Sequence, residues 1–171
     1  MKPWRKIDER VVYDRFRQIT SRAFELPDGE IADFEVIELF DSVVVLTLTA
    51  ANDVVLVRQF RPGPEDVLLE LPGGVVEPGR EPLEAAQAEL LEETGYRGRL
   101  AAAGAMLKDG YATNTKHVFV ATGCEQVAEP AQLEFVEPVL MSLGEFREHL
   151  RDGRLTDTDA GYRGLDFLGL L

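Results

Sequence analysis

The chain has 171 residues, a formal net charge of −13 and one cysteine, Cys124. A single cysteine excludes an intramolecular disulfide and a cysteine-rich zinc cluster, which is typical of the reducing cytoplasm. The acidic balance disfavours nucleic-acid polymers, because binding their phosphate backbone needs a basic surface. We expect a cytoplasmic protein with no membrane span and no signal peptide, since the apolar runs are too short for either.

The charge does not exclude a phosphorylated small molecule as ligand. Clustered carboxylates can hold divalent cations, and those cations then hold phosphates.

The first forty residues predict an N-terminal hairpin. Residues 11–24 look extended, and residues 26–29, Leu-Pro-Asp-Gly, predict a turn because proline presets φ and glycine supplies a positive φ. A strand then resumes at residues 34–39. We therefore interpret residues 1–40 as a hairpin extension and residues 41–171 as the main domain.

The main domain mixes strands and helices. Its predicted strands are bounded by turn residues and lie at 42–49, 54–60, 68–71, 116–122 and 136–141. A central helix is expected over residues 82–94, because Pro82 suits a first turn and Gly95 ends the pattern.

Two shorter helices follow near the C-terminus. Ser142 to Glu145 form a capping box for a helix that runs to about Arg151. Thr156 or Asp157 caps the last one, which carries Leu165, Leu168 and Leu171. This order of elements predicts an α+β fold of the α/β/α sandwich type.

Three glutamates on the predicted central helix, Glu89, Glu92 and Glu93, have the spacing i, i+3 and i+4. At about 100° per residue they project from one face. An adjacent face can pack on the sheet through Leu83, Ala86, Leu90 and Thr94. Three like charges this close repel one another, so a divalent cation is a natural partner. Spacing alone is also explained by an ordinary solvated acidic face.

The segment Glu70 to Gly74 precedes this helix and adds a second signal. Glycines let the backbone approach a ligand closely and present bare carbonyls or amides. A glycine loop that folds back onto an acidic helix face would form a metal cage from backbone and side chains together.

Residues 74–96 resemble the Nudix box, G-x5-E-x7-R-E-U-x-E-E-x-G-U, in which U is a bulky apolar residue. Gly74 takes the place of the opening glycine, and the second half is matched by Glu89, Leu90, Glu92, Glu93, Gly95 and Tyr96. Arg80 and Ala88 depart from the pattern, standing where the box has its first glutamate and its arginine. Those two residues pair in the family, so their joint replacement removes a salt bridge without an orphan charge. Glu77 or Glu81 are candidates to compensate.

Other segments resemble the branch of that family that acts on ADP-ribose and nucleotide sugars. They are residues 57–61, residues 70–74 and the N-terminal hairpin, which in that branch helps to build a homodimer. The resemblance implies a Nudix fold with a mixed sheet and a loop–helix motif. It also implies Mg²⁺- or Mn²⁺-dependent hydrolysis of the pyrophosphate bond in a nucleoside diphosphate linked to another moiety. The products would be a nucleoside monophosphate and a sugar phosphate.

The resemblance assigns metal ligands and catalytic residues. Glu89 and Glu93 are the principal ligands together with the carbonyl of Gly73, and Glu92 is a further ligand or a base that orients water. A later loop often supplies the general base in related enzymes, and Glu134 aligns best with it, ahead of Glu129 and Glu137. A solvent-exposed loop acid is the alternative for Glu134.

Substrate contacts are implied for Arg58, Arg61, Glu70 and Tyr111. We interpret the two arginines as sharing one strand face, where they suit bidentate phosphate contact; surface ion pairs are the alternative. Glu70 would contact the substrate or the metal shell. Tyr111 would stack on a base within a specificity loop, residues 108–114. This loop lacks the proline of ADP-ribose-specific relatives, which weakens that assignment.

Two other functions stay open. One keeps the fold but takes a nucleoside di- or triphosphate or a dinucleoside polyphosphate. The other is a nucleotide-binding regulator that no longer cuts, which the changes at Arg80 and Ala88 motivate. The three retained glutamates argue against the regulator, because a binder has little need for crowded carboxylates.

Overall fold

The computed structural model describes residues 1–131 and 135–171 and divides into two compact units. The first unit comprises Met1–Asp41 with Leu107–Thr115, and the second comprises Ser42–Met106 with Lys116–Leu171. Within the described ranges, no helix is both long and apolar enough to cross a membrane.

The first unit is built on a three-stranded antiparallel sheet. Its strands are β1 (Arg5–Asp14), β2 (Gln18–Glu25) and β3 (Ile31–Glu38), in that spatial order. The predicted hairpin is present as β2 and β3, with Gly29 at φ 86° in the turn. The sequence interpretation merged β1 with β2, because the break at residues 15–17 carries no glycine or proline.

Residues 107–115 join this unit through backbone hydrogen bonds to β3. The N–H of Ile37 donates to the carbonyl of Tyr111 at 2.8 Å, and the N–H of Thr113 donates to the carbonyl of Ile37 at 3.1 Å. The unit therefore includes a segment remote in sequence that the division at residue 40 did not foresee.

Among its described residues, the second unit contains seven strands and three helices. In chain order they are β4 (Ser42–Thr49), β5 (Val54–Arg61), β6 (Asp66–Glu70), β7 (Gly73–Val75), α1 (Pro82–Thr94), β8 (Tyr96–Leu107), β9 (Thr115–Gln126), β10 (Glu137–Met141), α2 (Leu143–Arg151) and α3 (Thr158–Phe167). The sheet order is β10-β5-β4-β9-β8, with β6 paired to β5 and β7 paired to β4. Strands β4 and β9 run parallel while β4 and β5 run antiparallel, so the sheet is mixed as expected.

Alternate residues of β4 belong to two separate hydrophobic clusters, because successive side chains of a strand point to opposite faces of the sheet. Val44 and Leu46 pack with residues of α2 and α3, including Phe146 and Leu165. Val43 and Val45 pack with residues of α1. Helices therefore cover both faces of the sheet, which confirms the sandwich.

The local helix signals were mostly right. Helix α1 has the predicted bounds, and both hydrogen bonds of the Ser142–Glu145 capping box are present. Asp157 is the N-cap of α3 but makes no side-chain cap hydrogen bond, and Leu171 lies beyond the helix, exposed to solvent. The inclusion of Leu83 in the packing face was wrong, since it is 44% exposed.

Strands β7 and β8 were missed. Strand β7 is Gly-Gly-Val, and β8 is rich in glycine, alanine and arginine, so neither shows the β-branched composition typical of strands. Pairing with their neighbours in the sheet, and not intrinsic propensity, makes these segments extended.

Candidate functional site

Helix α1 fixes the direction of the three glutamates through its buried face. It begins after Glu81 with a proline in its first turn, and it ends at Gly95, whose φ of 75° is left-handed. Ala86, Leu90 and Thr94 are buried on the face of the helix that packs against the sheet. With that face held by the sheet, Glu89 and Glu93 are half-buried at the edge of the helix and Glu92 is exposed.

Two glycines lie directly against two of these glutamates. The N–H of Gly73 donates to a carboxylate oxygen of Glu93 at 2.9 Å. A Cβ placed on Gly74 would lie 2.2 Å from Oε1 of Glu89, so the carboxylate occupies the space that a side chain would need. We call these four residues, Gly73, Gly74, Glu89 and Glu93, the glycine–glutamate cradle.

The glycine side of the cradle is held by the central sheet. Gly73 and Gly74 belong to β7 and pair with Val44 and Val43 of β4. A Cβ on Gly73 would meet the carbonyl oxygen of Val43 at 2.3 Å, so only glycine permits this approach of the two strands. The carbonyl of Pro72 accepts from the N–H of Val45 at 2.9 Å and extends the anchoring.

The donor set of the cradle fits a hard divalent cation. It offers carboxylate oxygens from Glu93 beside the backbone of Gly73 and from Glu89 beside Gly74, and oxygen donors are what Mg²⁺ prefers. Over the described residues, no group of three or more His, Cys, Asp or Glu side chains is assembled for a metal. Magnesium is usually held by one or two carboxylates, with water and substrate phosphates completing its shell, so a two-carboxylate cradle remains suitable.

The loop after β9 is tied to the C-terminal end of α1. The N–H groups of Val127 and Ala128 donate to the carbonyl of Gly95 at 2.9 and 3.2 Å, and the N–H of Ala131 donates to the carbonyl of Glu92 at 2.7 Å. The expected general base, Glu134, lies outside the described residues. Of the other two acids considered in this segment, Glu129 is exposed, and Glu137 forms an ion pair described next.

Arg58 and Arg61 lie on opposite faces of β5, so the interpretation that they share a face was wrong. The register of β5 with β6 is regular from Val57 to Arg61, and three residues along a regular strand reverse the face. Arg58 pairs with Glu137 at 2.9 Å between exposed side chains. Arg61 instead donates from Nε to Oε2 of Glu70 at 2.5 Å.

Glu70 is 1% exposed, and protein groups engage both of its carboxylate oxygens. Arg61 donates to Oε2 and the hydroxyl of Thr156 donates to Oε1. The expected direct contact of Glu70 with substrate does not fit this arrangement, because its carboxylate is buried and directed at Arg61 and Thr156. Sequence reasoning noted Thr156 only as a helix cap, and no local signal links it to a residue 86 positions away.

Tyr111 lines a cavity of about 510 Å³ within the first unit. The cavity is walled by aromatic rings, and the centroids of Trp4 and Phe34 lie 5.5 Å apart, with Phe24 5.9 Å from Phe34. Arg22 adds a cationic edge. Tyr111 is 59% exposed and its N–H is held by Asp109 at 2.6 Å, so its ring is available for stacking.

The two departures from the Nudix box lie apart from any described ion pair. Arg80 closes a turn with a backbone hydrogen bond to Glu77 at 3.0 Å, and Ala88 lines a surface cavity of about 400 Å³ beside Tyr96. In the described part of the chain, neither Glu77 nor Glu81 has a side-chain hydrogen bond or ion pair. Their expected compensation therefore gains no support.

Comparison with known proteins agrees with this geometry. A family model of the NUDIX domain matches residues 38–158. The chain is 31% identical over 139 residues to a methanol dehydrogenase activator of Bacillus methanolicus, covering 78% of this chain and 75% of that protein. It is also 31% identical over 143 residues to an ADP-ribose pyrophosphatase of Bacillus subtilis, covering 81% and 77%.

The crystal structure of an ADP compounds hydrolase shares the fold. It superposes with a TM-score of 0.79 at 19% identity and covers 100% of this chain and 98% of its own.

Proposed function

The chain belongs to the NUDIX family, and we propose that it hydrolyses the pyrophosphate bond of an ADP-linked compound such as ADP-ribose or an ADP-sugar. The products would be AMP and a sugar phosphate. The observation that carries this proposal is the glycine–glutamate cradle, which brings Glu89 and Glu93 of the Nudix box against the backbone of residues 73 and 74.

In this proposal the cradle residues hold the divalent cation, Mg²⁺ or Mn²⁺. Glu89, Glu93 and the carbonyl of Gly73 are the protein ligands. When bound, the cation neutralises the charge that develops on the phosphoryl oxygens and acidifies bound water. The half-buried position of Glu89 and Glu93 favours this role, because partly desolvated carboxylates attract a cation more strongly than fully solvated ones.

Glu92 and Glu134 are the residues proposed to handle water. Glu92 is exposed at the end of α1, one residue before a cradle ligand, so its carboxylate can orient a water or add a ligand. Glu134 would act as general base, and the preceding residues Val127, Ala128 and Ala131 are hydrogen-bonded to the carbonyls of Gly95 and Glu92. A water-activating carboxylate needs only hydrogen-bond reach of the nucleophile, which a loop can provide.

Arg58 and Arg61 are proposed to bind the diphosphate, and they differ in how firmly other side chains already hold them. Arg61 is held by Glu70 through Nε, and its side chain is 44% exposed. Arg58 shares an exposed ion pair with Glu137, and such pairs contribute little, so it can exchange that partner for a phosphate. Tyr111 is proposed to contact the substrate base, since the aromatic cavity of its unit offers a stacking surface.

We also propose that the protein is a cytoplasmic homodimer. Large hydrophobic side chains of the first unit are exposed, among them Val11, Phe16 and Ile31. Apolar surface of this kind is typical of association sites. Sedimentation at micromolar concentration would show a dimer, and a monomer would contradict this part of the proposal.

The decisive experiment is a substrate panel assayed with Mg²⁺ and with EDTA. The purified protein would be incubated with ADP-ribose, GDP-mannose, UDP-glucose, diadenosine polyphosphates and nucleoside triphosphates, and released phosphomonoester would be measured. Glu93→Gln removes one cradle carboxylate, and Glu84→Gln is the matched control because Glu84 is exposed on the first turn of the same helix.

Turnover of ADP-ribose that requires Mg²⁺ and is lost in Glu93→Gln but kept in Glu84→Gln would establish the proposed function. Preference for a triphosphate or a dinucleoside polyphosphate would replace the substrate class. Metal-dependent binding without turnover would indicate the regulator and contradict the hydrolase.

A further inference from the structure

Three side chains of the second unit form a continuous hydrogen-bonded chain. The hydroxyl of Thr156, in the loop between α2 and α3, donates to Oε1 of Glu70. The other oxygen of Glu70 accepts from Nε of Arg61 at 2.5 Å. The central member is 1% exposed, so a carboxylate that can only accept is fixed by one donor on each oxygen.

This arrangement engages only one of the three guanidinium nitrogens of Arg61. Only its Nε is engaged, and over residues 1–131 and 135–171 the structure describes no partner for its two Nη groups. With 44% of the side chain exposed, those groups can reach solvent or a ligand. A guanidinium held at Nε presents its remaining N–H donors in a fixed plane, which suits a phosphate.

The chain also lies close to the cradle along the backbone. Glu70 ends β6, and Gly73 follows three residues later. Three residues span at most about 11 Å of chain. A diphosphate held at the cradle is therefore within the range of an arginine anchored at Glu70.

We propose that Thr156 is a positioning residue for substrate binding, which rests on the proposed hydrolase function. Thr156 holds Oε1 of Glu70 toward its own hydroxyl while Arg61 reaches only Oε2 through Nε, so Thr156 restrains the carboxylate away from the orientation that a two-point pair with Arg61 needs. A fork-to-fork pair is the preferred arrangement of an arginine with a free carboxylate. Without the hydroxyl, Arg61 turns an Nη group to Glu70 and withdraws it from the diphosphate.

The test compares three variants of the same loop. Thr156→Val removes the hydroxyl at constant shape, Thr156→Ser restores it, and Thr158→Val removes a neighbouring hydroxyl that donates to the carbonyl of Leu155 at 2.6 Å. The measurement is the Kd of α,β-methylene ADP-ribose with Mg²⁺. We expect about tenfold weaker binding for Thr156→Val and changes within about twofold for the other two variants.

A double-mutant cycle shows whether the effect passes through Arg61. Arg61→Lys keeps a charge beside Glu70 and removes the guanidinium fork, so Thr156→Val should change Kd by less than about twofold in that background. The ¹⁵Nε–¹H signal of Arg61 in the ligand-free protein should shift in Thr156→Val and return in Thr156→Ser.

The outcomes separate the two proposals. A wild-type protein that neither binds the analogue nor hydrolyses ADP-ribose overturns the proposed activity on ADP-ribose and this role with it. A wild-type protein that binds the analogue, with Thr156→Val unchanged in Kd, overturns the positioning role alone. The positioning role is also overturned if Thr156→Val weakens binding as much in the Arg61→Lys background as in the wild type, or if Thr158→Val weakens binding as much as Thr156→Val. Either result indicates a general effect of the loop.

Discussion

The N–H of Gly73 donates to the carboxylate of Glu93 across 2.9 Å, joining residues separated by twenty positions. Gly73 belongs to β7 and Glu93 to the last turn of α1, so this bond links the central sheet to the helix. It also holds a carboxylate oxygen of Glu93 against the backbone of Gly73, the residue whose carbonyl is proposed as a further metal ligand.

The first prediction concerns Gly74. Gly74→Ala should raise the Mg²⁺ concentration needed for half-maximal activity by about tenfold or more, because the new Cβ would displace the Glu89 carboxylate that lies 2.2 Å away. Thermal stability should change little, since the displaced group is the end of a flexible side chain. Gly63→Ala is the control, because nothing lies within 4 Å of its Cβ; equal metal dependence in both variants would contradict the cradle.

Gly73→Ala should instead lower stability. Its Cβ would lie 2.3 Å from the carbonyl oxygen of Val43, and this backbone atom can move only if β7 leaves β4. We expect a loss of about 1–3 kcal/mol in the free energy of unfolding, measured by urea titration. A variant as stable as the wild type would show that the two strands do not approach this closely.

Two helix-associated glycines should respond to alanine with opposite signs. At Gly95 φ is 75° and a Cβ would lie 2.1 Å from the carbonyl oxygen of Ala128, so Gly95→Ala should destabilise by about 1–3 kcal/mol. Gly144 lies in the first turn of α2 with nothing within 4 Å of its Cβ position, so Gly144→Ala should stabilise by about 0.5 kcal/mol through the smaller entropy of the unfolded chain. Urea titration measures both, and a shared sign would refute the comparison.

Lys116 should stabilise the fold in a pH-dependent way. Burial alone would lower its pKa, but hydrogen bonds and charge from Asp157 and Asp159, at 2.8 and 2.9 Å, outweigh it and raise the pKa above 10.5. A raised pKa gives stability that is complete below pH 10.5 and is lost as the pH rises through the folded-state value.

Lys116→Met should therefore lower the free energy of unfolding by about 1–3 kcal/mol at pH 8. The difference from the wild type should shrink above pH 10.5. Unfolding of both proteins between pH 8 and 11 tests this, and a difference that is constant or grows with pH would be inconsistent with the ion pair.

Cys124 should be inert in the folded protein. Burial raises the pKa of its thiol to about 11, and the side chain is 2% exposed. At pH 8 the thiolate fraction then falls roughly 100-fold relative to an ordinary cysteine. Labelling with a disulfide reagent should become rapid only in urea, and fast stoichiometric labelling of the native protein would show that the thiol is accessible.

Short-range sequence signals were enough to predict much of the candidate site. Glu89, Glu92 and Glu93 could be placed on one helix because a proline marks the start of α1 and a glycine marks its end. The effects of proline and glycine on backbone conformation and hydrogen bonding act within a few residues, so they can be read from the sequence. The same locality explains why the Ser142 capping box was recognised.

Errors arose where the chain pairs with distant segments. Strand β7 forms because β4 lies beside it, although Gly-Gly-Val has low strand propensity. The face of Arg61 was misjudged for a different, local reason: Arg61 lies three positions from Arg58, and the twofold period of a strand places an odd separation on opposite faces. Its true partner, Glu70, becomes apparent only in the register of β5 with β6.

The sequence by itself determined the order of acidic residues on α1 and the α/β/α sandwich class, since these depend on periodicity and short-range caps. It also carried the motif at residues 74–96 on which the family resemblance and the expected mixed sheet rest. The tertiary structure decided which glycine faces which glutamate and that Thr156 reaches Glu70. Those contacts join residues 20 and 86 positions apart. They exist because sheet register and helix packing bring the segments together, and neither is encoded in any short window of the chain.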